Sequence, residues 1–214
     1  MIPIKINGKE SLIPGAWDEL TIGQYIEISI NTHRLNQLRL FSIISGINYA
    51  LLLNLPEDGL DVNLDQILFW FNEPFDPNLL DRSETITING KIITPPNDPG
   101  KKTLGQKLFL QSKVREAQSA DALLCTIVSD AVAIYLQPMV DDAPFNDERA
   151  MELKTELLKL PITLIYPWGC FFLSGYIKYV ELNMNIAPLN LLTKRSEQEQ
   201  KSLEYLQSSE HTMH

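Results

Sequence analysis

Oxygen-bearing side chains that could bind a metal ion occur at two places in the chain. Asp61, Asn63 and Asp65 have the spacing with which a calcium-binding loop begins. Such a loop needs Gly at its sixth position and Glu at its twelfth, and this sequence has Gln66 and Asn72 there. The stretch is therefore predicted to be a helix N-terminus, where carboxylates favour the positive end of the helix dipole.

The other acidic stretch contains four carboxylates, Asp141, Asp142, Asp147 and Glu148. They could form a metal cluster, but a solvated loop followed by the first turn of a helix explains them better. His211 and His214 could contact a metal ion from one helix face, although their segment is a polar terminus. We predict no metal site.

The cysteines and histidines are too few for several kinds of site. Two cysteines and three histidines exclude a disulfide framework and a Cys/His zinc site. Cys125 and Cys170 lie in apolar runs, which predicts two reduced, buried thiols in a cytoplasmic protein. No phosphate loop, dinucleotide fingerprint or Ser/His/Asp arrangement occurs in the sequence. We predict no catalytic or cofactor-binding residues, and an enzyme with an unrecognised site stays an alternative.

The composition of the chain limits the kinds of molecule that it is expected to bind. The 214 residues are 44% hydrophobic and 21% charged, which is typical of a globular chain with a sizeable core. The formal charge of −9 disfavours binding to nucleic acid or to an anionic membrane. Residues 160–177 are uncharged, but Pro161, Pro167, Gly169 and Gly175 interrupt them, which favours a buried segment over a membrane span. The first nine residues lack the apolar core of a signal peptide.

An internal repeat predicts how the elements are organised. Residues 4–24 and 86–106 share nine identities in 21 positions without a gap, at an offset of 82 residues. Asn7-Gly8 and Asn89-Gly90 follow alternating apolar residues, a pattern that predicts β-hairpins whose turns need positive φ. Thr21-x-x-Gln24 and Thr103-x-x-Gln106 each predict a capping box at a helix start. The coincidental likeness of two common turns is the alternative to a duplicated module.

Apolar periodicity predicts the helices that follow. They are expected over about 35–45, from Asn63, over 106–117, over 121–137 with Pro138 as its end, from Asn146, and from Pro167 to Leu182. Residues 50–55 are expected to be a short apolar turn. The predicted fold class is α+β, mainly α: two β-hairpin-plus-helices modules (1–82 and 83–160), an apolar C-terminal helix packing on the core (161–189) and a polar tail (190–214).

Five apolar or aromatic residues are candidates for binding a partner. Trp17 and Tyr25 flank the first capping box, and Leu203, Tyr205 and Leu206 are the few apolar anchors of the tail. The structural alternative is that Trp17 packs with Leu20 as a hydrophobic staple against the helix start. The tail could order on a partner, or it could be a frayed helix.

Three islands of sequence resemble small helical proteins encoded in the morphogenesis clusters of tailed bacteriophages and prophages. They are the segments 17–25 (Trp-Asp-Glu-Leu-Thr-x-x-Gln-Tyr), 133–138 (Ala-Ile-Tyr-Leu-Gln-Pro, followed by an acidic loop) and the pair Phe171-Phe172. The resemblance implies a protein that acts through its surfaces, without chemistry of its own. A tail assembly chaperone of this kind would hold the apolar tape-measure chain in the host cytoplasm before the tail tube polymerises.

A structural virion component is the alternative within the same setting. A connector, ring or decoration protein could pair copies of itself by adding strands at exposed hairpin edges. Both hypotheses imply a protein partner and no cofactor.

Overall fold

The protein is α+β and mainly α, as predicted, and its chain divides into two compact units. The computed structural model describes residues 1–6, 9–56, 59, 63–73, 75–100, 102–119 and 124–184. The first unit consists of Met1–Arg82 with Leu157–Pro167, and the second of Ser83–Glu156 with the chain that begins at Trp168.

The first unit begins with a β-hairpin and continues with short helices. Strands β1 (Ile2–Ile6) and β2 (Lys9–Ile13) are antiparallel, with Ile2 opposite Ile13. Asn7 and Gly8, the predicted turn, lie outside the described residues. The helices that follow are α1 (Ile22–Ile30), α2 (Gln37–Ser45), α3 (Tyr49–Leu53) and α4 (Leu64–Ile67). Helix α2 is central, because it packs on α1, α3, α4 and β2.

A later segment of the chain completes the first unit. The amides of Ile22 and Gly23, in the first turn of α1, have no acceptor within their own helix. They donate instead to the carbonyls of Leu160 (2.9 Å) and Leu158 (3.0 Å). A Cβ atom on Gly23 would lie 2.8 Å from the Leu158 carbonyl oxygen, so the close approach needs glycine here.

The second unit also begins with a β-hairpin and continues with helices, most of which are longer. Strands β3 (Ile86–Ile88) and β4 (Lys91–Ile93) form an antiparallel hairpin. Its turn residues Asn89 and Gly90 have φ of 51° and 78°, which confirms the predicted left-handed turn. The helices of this unit are α5 (Leu104–Ser119), α6 (Leu124–Asp141) and α7 (Asp147–Leu157), whose last residue is counted with the first unit. Helix α8 (Ile162–Met184) begins in the first unit and continues in the second from Trp168. Residues 131–137 of α6 are all buried.

Both predicted capping boxes are confirmed. Thr21 and Gln24 exchange hydrogen bonds of 2.9 and 3.1 Å between backbone and side chain, and Thr103 and Gln106 exchange bonds of 2.9 and 3.2 Å. In each unit the glutamine amide also reaches a later helix. Gln24 Nε2 donates to Ile44 O in α2 (3.0 Å), and Gln106 Nε2 donates to a carbonyl in α6. Duplication of an ancestral module stays a prediction.

The predictions that Pro138 ends its helix and that Pro167 opens one are wrong. Pro138 lies inside α6, which continues to Asp141, and Pro167 lies inside α8, which begins at Ile162. A proline in a helix leaves the carbonyl four residues earlier without its amide donor. For Pro138 that carbonyl belongs to Ile134, and Gln106 Nε2 donates to it at 2.8 Å.

Two further elements differ from the predictions in the first unit. Residues 50–55, expected to be a turn, include most of helix α3. The helix predicted from Asn63 does begin there, and the Asn63 side chain accepts from the amides of Asp65 and Gln66. It ends at Ile67, however, and a 3₁₀ turn over Phe69–Asn72 follows.

Candidate partner-binding surfaces

Trp17 is held in an aromatic cluster in the first unit. It lies in a 3₁₀ turn (Trp17–Glu19) just before α1. Its ring stacks on Phe75, with centroids 5.2 Å apart and planes at 5°, and meets Phe71 at 4.8 Å. Trp70 presents an edge at 5.4 Å, and the Trp17 indole Nε1 donates to Glu73 O at 3.1 Å. These contacts fix the ring and leave it partly exposed.

Tyr25 supports this cluster from the core. It is 7% exposed and meets Trp17 edge-on at 6.5 Å and Tyr166 at 5.8 Å. The structure thus brings together the two aromatic candidates and leaves Trp17 as the more accessible of them. The other three candidates, Leu203, Tyr205 and Leu206, lie outside the described residues.

An open groove in the second unit lies beside the N-terminal half of α5. Its volume is about 420 Å³, and its lining residues are Gly105, Leu108, Phe109, Ser112, Phe145, Asn146 and Asp147. Phe145, from the loop between α6 and α7, lies 6.0 Å from the Phe109 ring centroid. A Cβ atom on Gly105 would lie 3.1 Å from the Phe145 ring, so this glycine permits the close approach.

Two leucines leave apolar surface at this groove exposed to solvent. Leu104 is 69% exposed and Leu108 is 54% exposed. They are four residues apart in α5 and therefore lie on the same face of the helix. We refer to the lining residues together with Leu104 as the α5 groove. Sequence reasoning missed it, although an apolar pair at this spacing in an otherwise polar helix face was the available signal.

Hydrogen bonds hold the loop that carries Phe145. The buried Gln137 side chain accepts from the Asn146 amide at 2.9 Å and donates to Asp141 at 3.0 Å. The Asn146 side chain then accepts from the Arg149 amide at 2.9 Å, which confirms it as the cap of α7. Hydrogen bonds from Arg149 and Gln137 lower the pKa of Asp141. These hydrogen bonds hold the loop between α6 and α7 in place, and with it the Phe145 side of the groove.

The four carboxylates of the acidic stretch do not converge on one point. Asp141 pairs with Arg149 at 3.3 Å, and Asp142 pairs with Lys91 at 2.5 Å. Asp147 and Glu148 stand in the first turn of α7. Within the part of the chain that the structure describes, no group of three or more potential ligands could hold a metal ion. Asp61, His211 and His214 lie outside that part.

A buried ion pair connects α6 with α7. Lys154 Nζ lies 2.9 Å from both carboxylate oxygens of Asp130, a residue that is 6% exposed. Burial raises the pKa of Asp130, and the neighbouring Lys154 opposes this shift. The pair connects two helices, which is a structural role.

Lys102 is another partly buried charged residue of the second unit. Its Nζ donates to Tyr135 Oη at 2.9 Å and to Pro99 O at 3.2 Å, and burial lowers its pKa. Tyr135 in turn donates to Pro99 O at 2.6 Å, and burial raises its pKa. These bonds close the loop before α5 onto α6, which is a structural role. Cys125 is buried and Cys170 is half-buried, and both are thiols.

Comparisons with protein-family models, with curated proteins and with solved structures found no match. Among the described residues, no helix has both the length and the apolar character needed to cross a membrane. The uncharged segment 160–177 belongs to α8 for most of its length, and its residues Ile162, Ile165 and Phe172 are fully buried.

Proposed function

We propose that this chain is a non-enzymatic assembly protein of a tailed bacteriophage or prophage. In this proposal it is a tail assembly chaperone or adaptor that binds another virion protein, such as the tape-measure protein, in the host cytoplasm. The α5 groove carries the protein-binding part of the proposal. The phage setting rests on the resemblance of segments 17–25 and 133–138 and of Phe171-Phe172 to proteins of morphogenesis clusters.

The exposed leucines support a binding role on energetic grounds. Apolar surface in contact with water is unfavourable by about 25 cal/mol for each Å². A partner that covers Leu104 and Leu108 recovers this free energy on binding. Because polar contacts already hold Phe145 in place, little further ordering of the groove is needed, which favours affinity.

The residues of the phage-like island 133–138 have a structural role in this unit. Residues 133–137 are buried, Ile134 accepts from Gln106, and Gln137 holds the loop that carries Phe145. The island therefore supports the α5 groove from beneath, without being part of a binding surface itself.

The direct experiment is co-expression with the tape-measure protein of the same gene cluster, followed by size-exclusion chromatography. We expect one soluble complex. The variant Leu108→Glu should weaken it, whereas Leu79→Glu should not, because Leu79 is 81% exposed and belongs to the other unit. Separate elution of the two wild-type proteins at micromolar concentration would refute the chaperone hypothesis.

A structural virion component is the second candidate, and the two hairpins favour it. Each described sheet has two strands, so each strand has one edge without a partner among the described residues. Leu12 in β2 is 62% exposed and Ile92 in β4 is 70% exposed, which suits pairing between copies. Light scattering would then detect a defined large oligomer, and the protein would be present in purified particles. A monomer that is absent from particles would contradict this second candidate.

A further inference from the structure

The α5 groove has both apolar and polar lining residues, and one of them, Asp147, is charged. Leu108, Phe109 and Phe145 supply the apolar surface, and Asp147 supplies the charge. A volume of about 420 Å³ is within the range of ligand pockets and is too small for a folded domain. A protein partner could therefore place only a few side chains in it.

The Asp147 carboxylate makes the groove suited to a cation. Asp141 and Asp142 are neutralised by Arg149 and Lys91, but no cation pairs with Asp147 among the described residues. The amides of the second and third residues of α7 are already used, since Glu148 N donates to Asp147 Oδ1 (3.0 Å) and Arg149 N donates to Asn146 Oδ1 (2.9 Å). The helix terminus thus offers a carboxylate and few donors for an anion.

We propose that the α5 groove binds an amphipathic helix whose apolar ridge ends in a lysine or arginine that pairs with Asp147. Anchors at i, i+3, i+4 and i+7 form such a ridge, and they would lie along Leu104 and Leu108 and over the ring of Phe145. That this helix belongs to a virion protein rests on the proposed function. The chemistry of the groove can be tested separately.

Two synthetic helical peptides of about 18 residues serve as the probe, a length at which an isolated helix can form. Both carry leucines at the four anchor positions, and they differ only in a terminal Lys or Glu. Each is titrated into the full-length ¹⁵N-labelled protein and followed by TROSY spectra. We expect shifts of the amides of residues 104–112 and 145–147, and a Kd about two- to five-fold lower for the Lys peptide, the range of an exposed ion pair.

Three substitutions connect that preference to one carboxylate. Asp147→Lys should reverse it, and Asp147→Asn should abolish it while disturbing the start of α7 less. Glu148→Lys makes the same change of charge in the same helical turn, but at a residue that does not line the groove. It should leave the preference for the Lys peptide in place. Far-UV circular dichroism of each variant verifies that α7 still forms.

Two results would overturn the proposal. One is the absence of shifts around the groove with either peptide at millimolar concentration. The other is equal affinity for the two peptides in the wild-type protein. If the Lys peptide binds the groove but the tape-measure protein does not co-elute, then the chaperone hypothesis is wrong and the groove assignment stands. If the proteins co-elute but the groove amides do not respond, the partner binds elsewhere.

Discussion

Replacing Gln106 with Leu should lower the free energy of unfolding by about 3 kcal/mol, because a buried side chain loses two hydrogen bonds. Gln106 is 6% exposed; its Oε1 accepts from Thr103 N (2.9 Å), and its Nε2 donates to Ile134 O (2.8 Å). Loss of the capping bond costs about 1 kcal/mol. The Ile134 carbonyl has no amide donor within its helix, because residue 138 is a proline. Leaving this carbonyl without a hydrogen bond lowers the free energy of unfolding by about 2 kcal/mol more.

Pro138→Ala provides the way to separate these two contributions. It supplies an amide hydrogen that can donate to the Ile134 carbonyl within α6. In that background Gln106→Leu should cost only about 1 kcal/mol, so that the double-mutant cycle gives a coupling of about 2 kcal/mol. Urea unfolding followed by far-UV circular dichroism measures the free energies, and amide hydrogen exchange of α6 shows where the change occurs.

Gln24→Leu is the matched control in the first unit. It removes the same kind of capping bond, to Thr21 N, and the donor to Ile44 O near the end of α2. No proline is involved there, so Pro138→Ala should leave its cost unchanged. If Gln106→Leu costs the same with Pro138 and with Pro138→Ala, then the reasoning about the Ile134 carbonyl is refuted.

Three further predictions test the turn, the packing and the electrostatics of the second unit. Gly90→Val should destabilise the protein by about 1 to 2 kcal/mol in urea titrations, because φ is 78° there, and an unchanged midpoint would contradict the turn. Gly169→Ala places a Cβ atom 2.3 Å from Val128 Cγ1 and 2.6 Å from Val128 O, so it should cost about 2 kcal/mol; Val128→Ala should recover only part of the loss in a thermal melt, since the carbonyl stays. Lys154→Met leaves the Asp130 carboxylate buried and unpaired, which should cost about 2 kcal/mol near neutral pH. Because burial raises the pKa of Asp130, that cost should shrink as the pH falls through this pKa and the carboxyl becomes neutral; a cost that is the same at about pH 4 and pH 7 would argue against the pair.

Local signals in the sequence predicted the starts and turns of several elements. The Asn89-Gly90 turn and the caps formed by Thr21, Thr103 and Asn146 depend on hydrogen bonds or backbone angles within a few residues. Such interactions form wherever the residues stand close together in the chain, so spacing alone is sufficient to predict them.

Partner-binding candidates were harder to predict, because exposure is a property of the folded chain. Trp17 and Tyr25 belong together in one cluster, but Phe75 reaches that cluster from far along the chain. The α5 groove exists because Phe145 packs beside Gly105 and Phe109, which are some 40 positions away in the sequence.

The sequence by itself determined the class of the fold, the capped helix starts and the β3–β4 turn, because each is decided by neighbours within one helical turn or one hairpin. The tertiary structure alone decided that Pro138 could stay inside a helix, since its orphaned carbonyl needed a donor from Gln106 in another element. It also decided which leucines stay exposed. From its neighbours in the sequence alone, a proline is expected to end a helix. Here a hydrogen bond from another element compensates for the donor that the proline lacks.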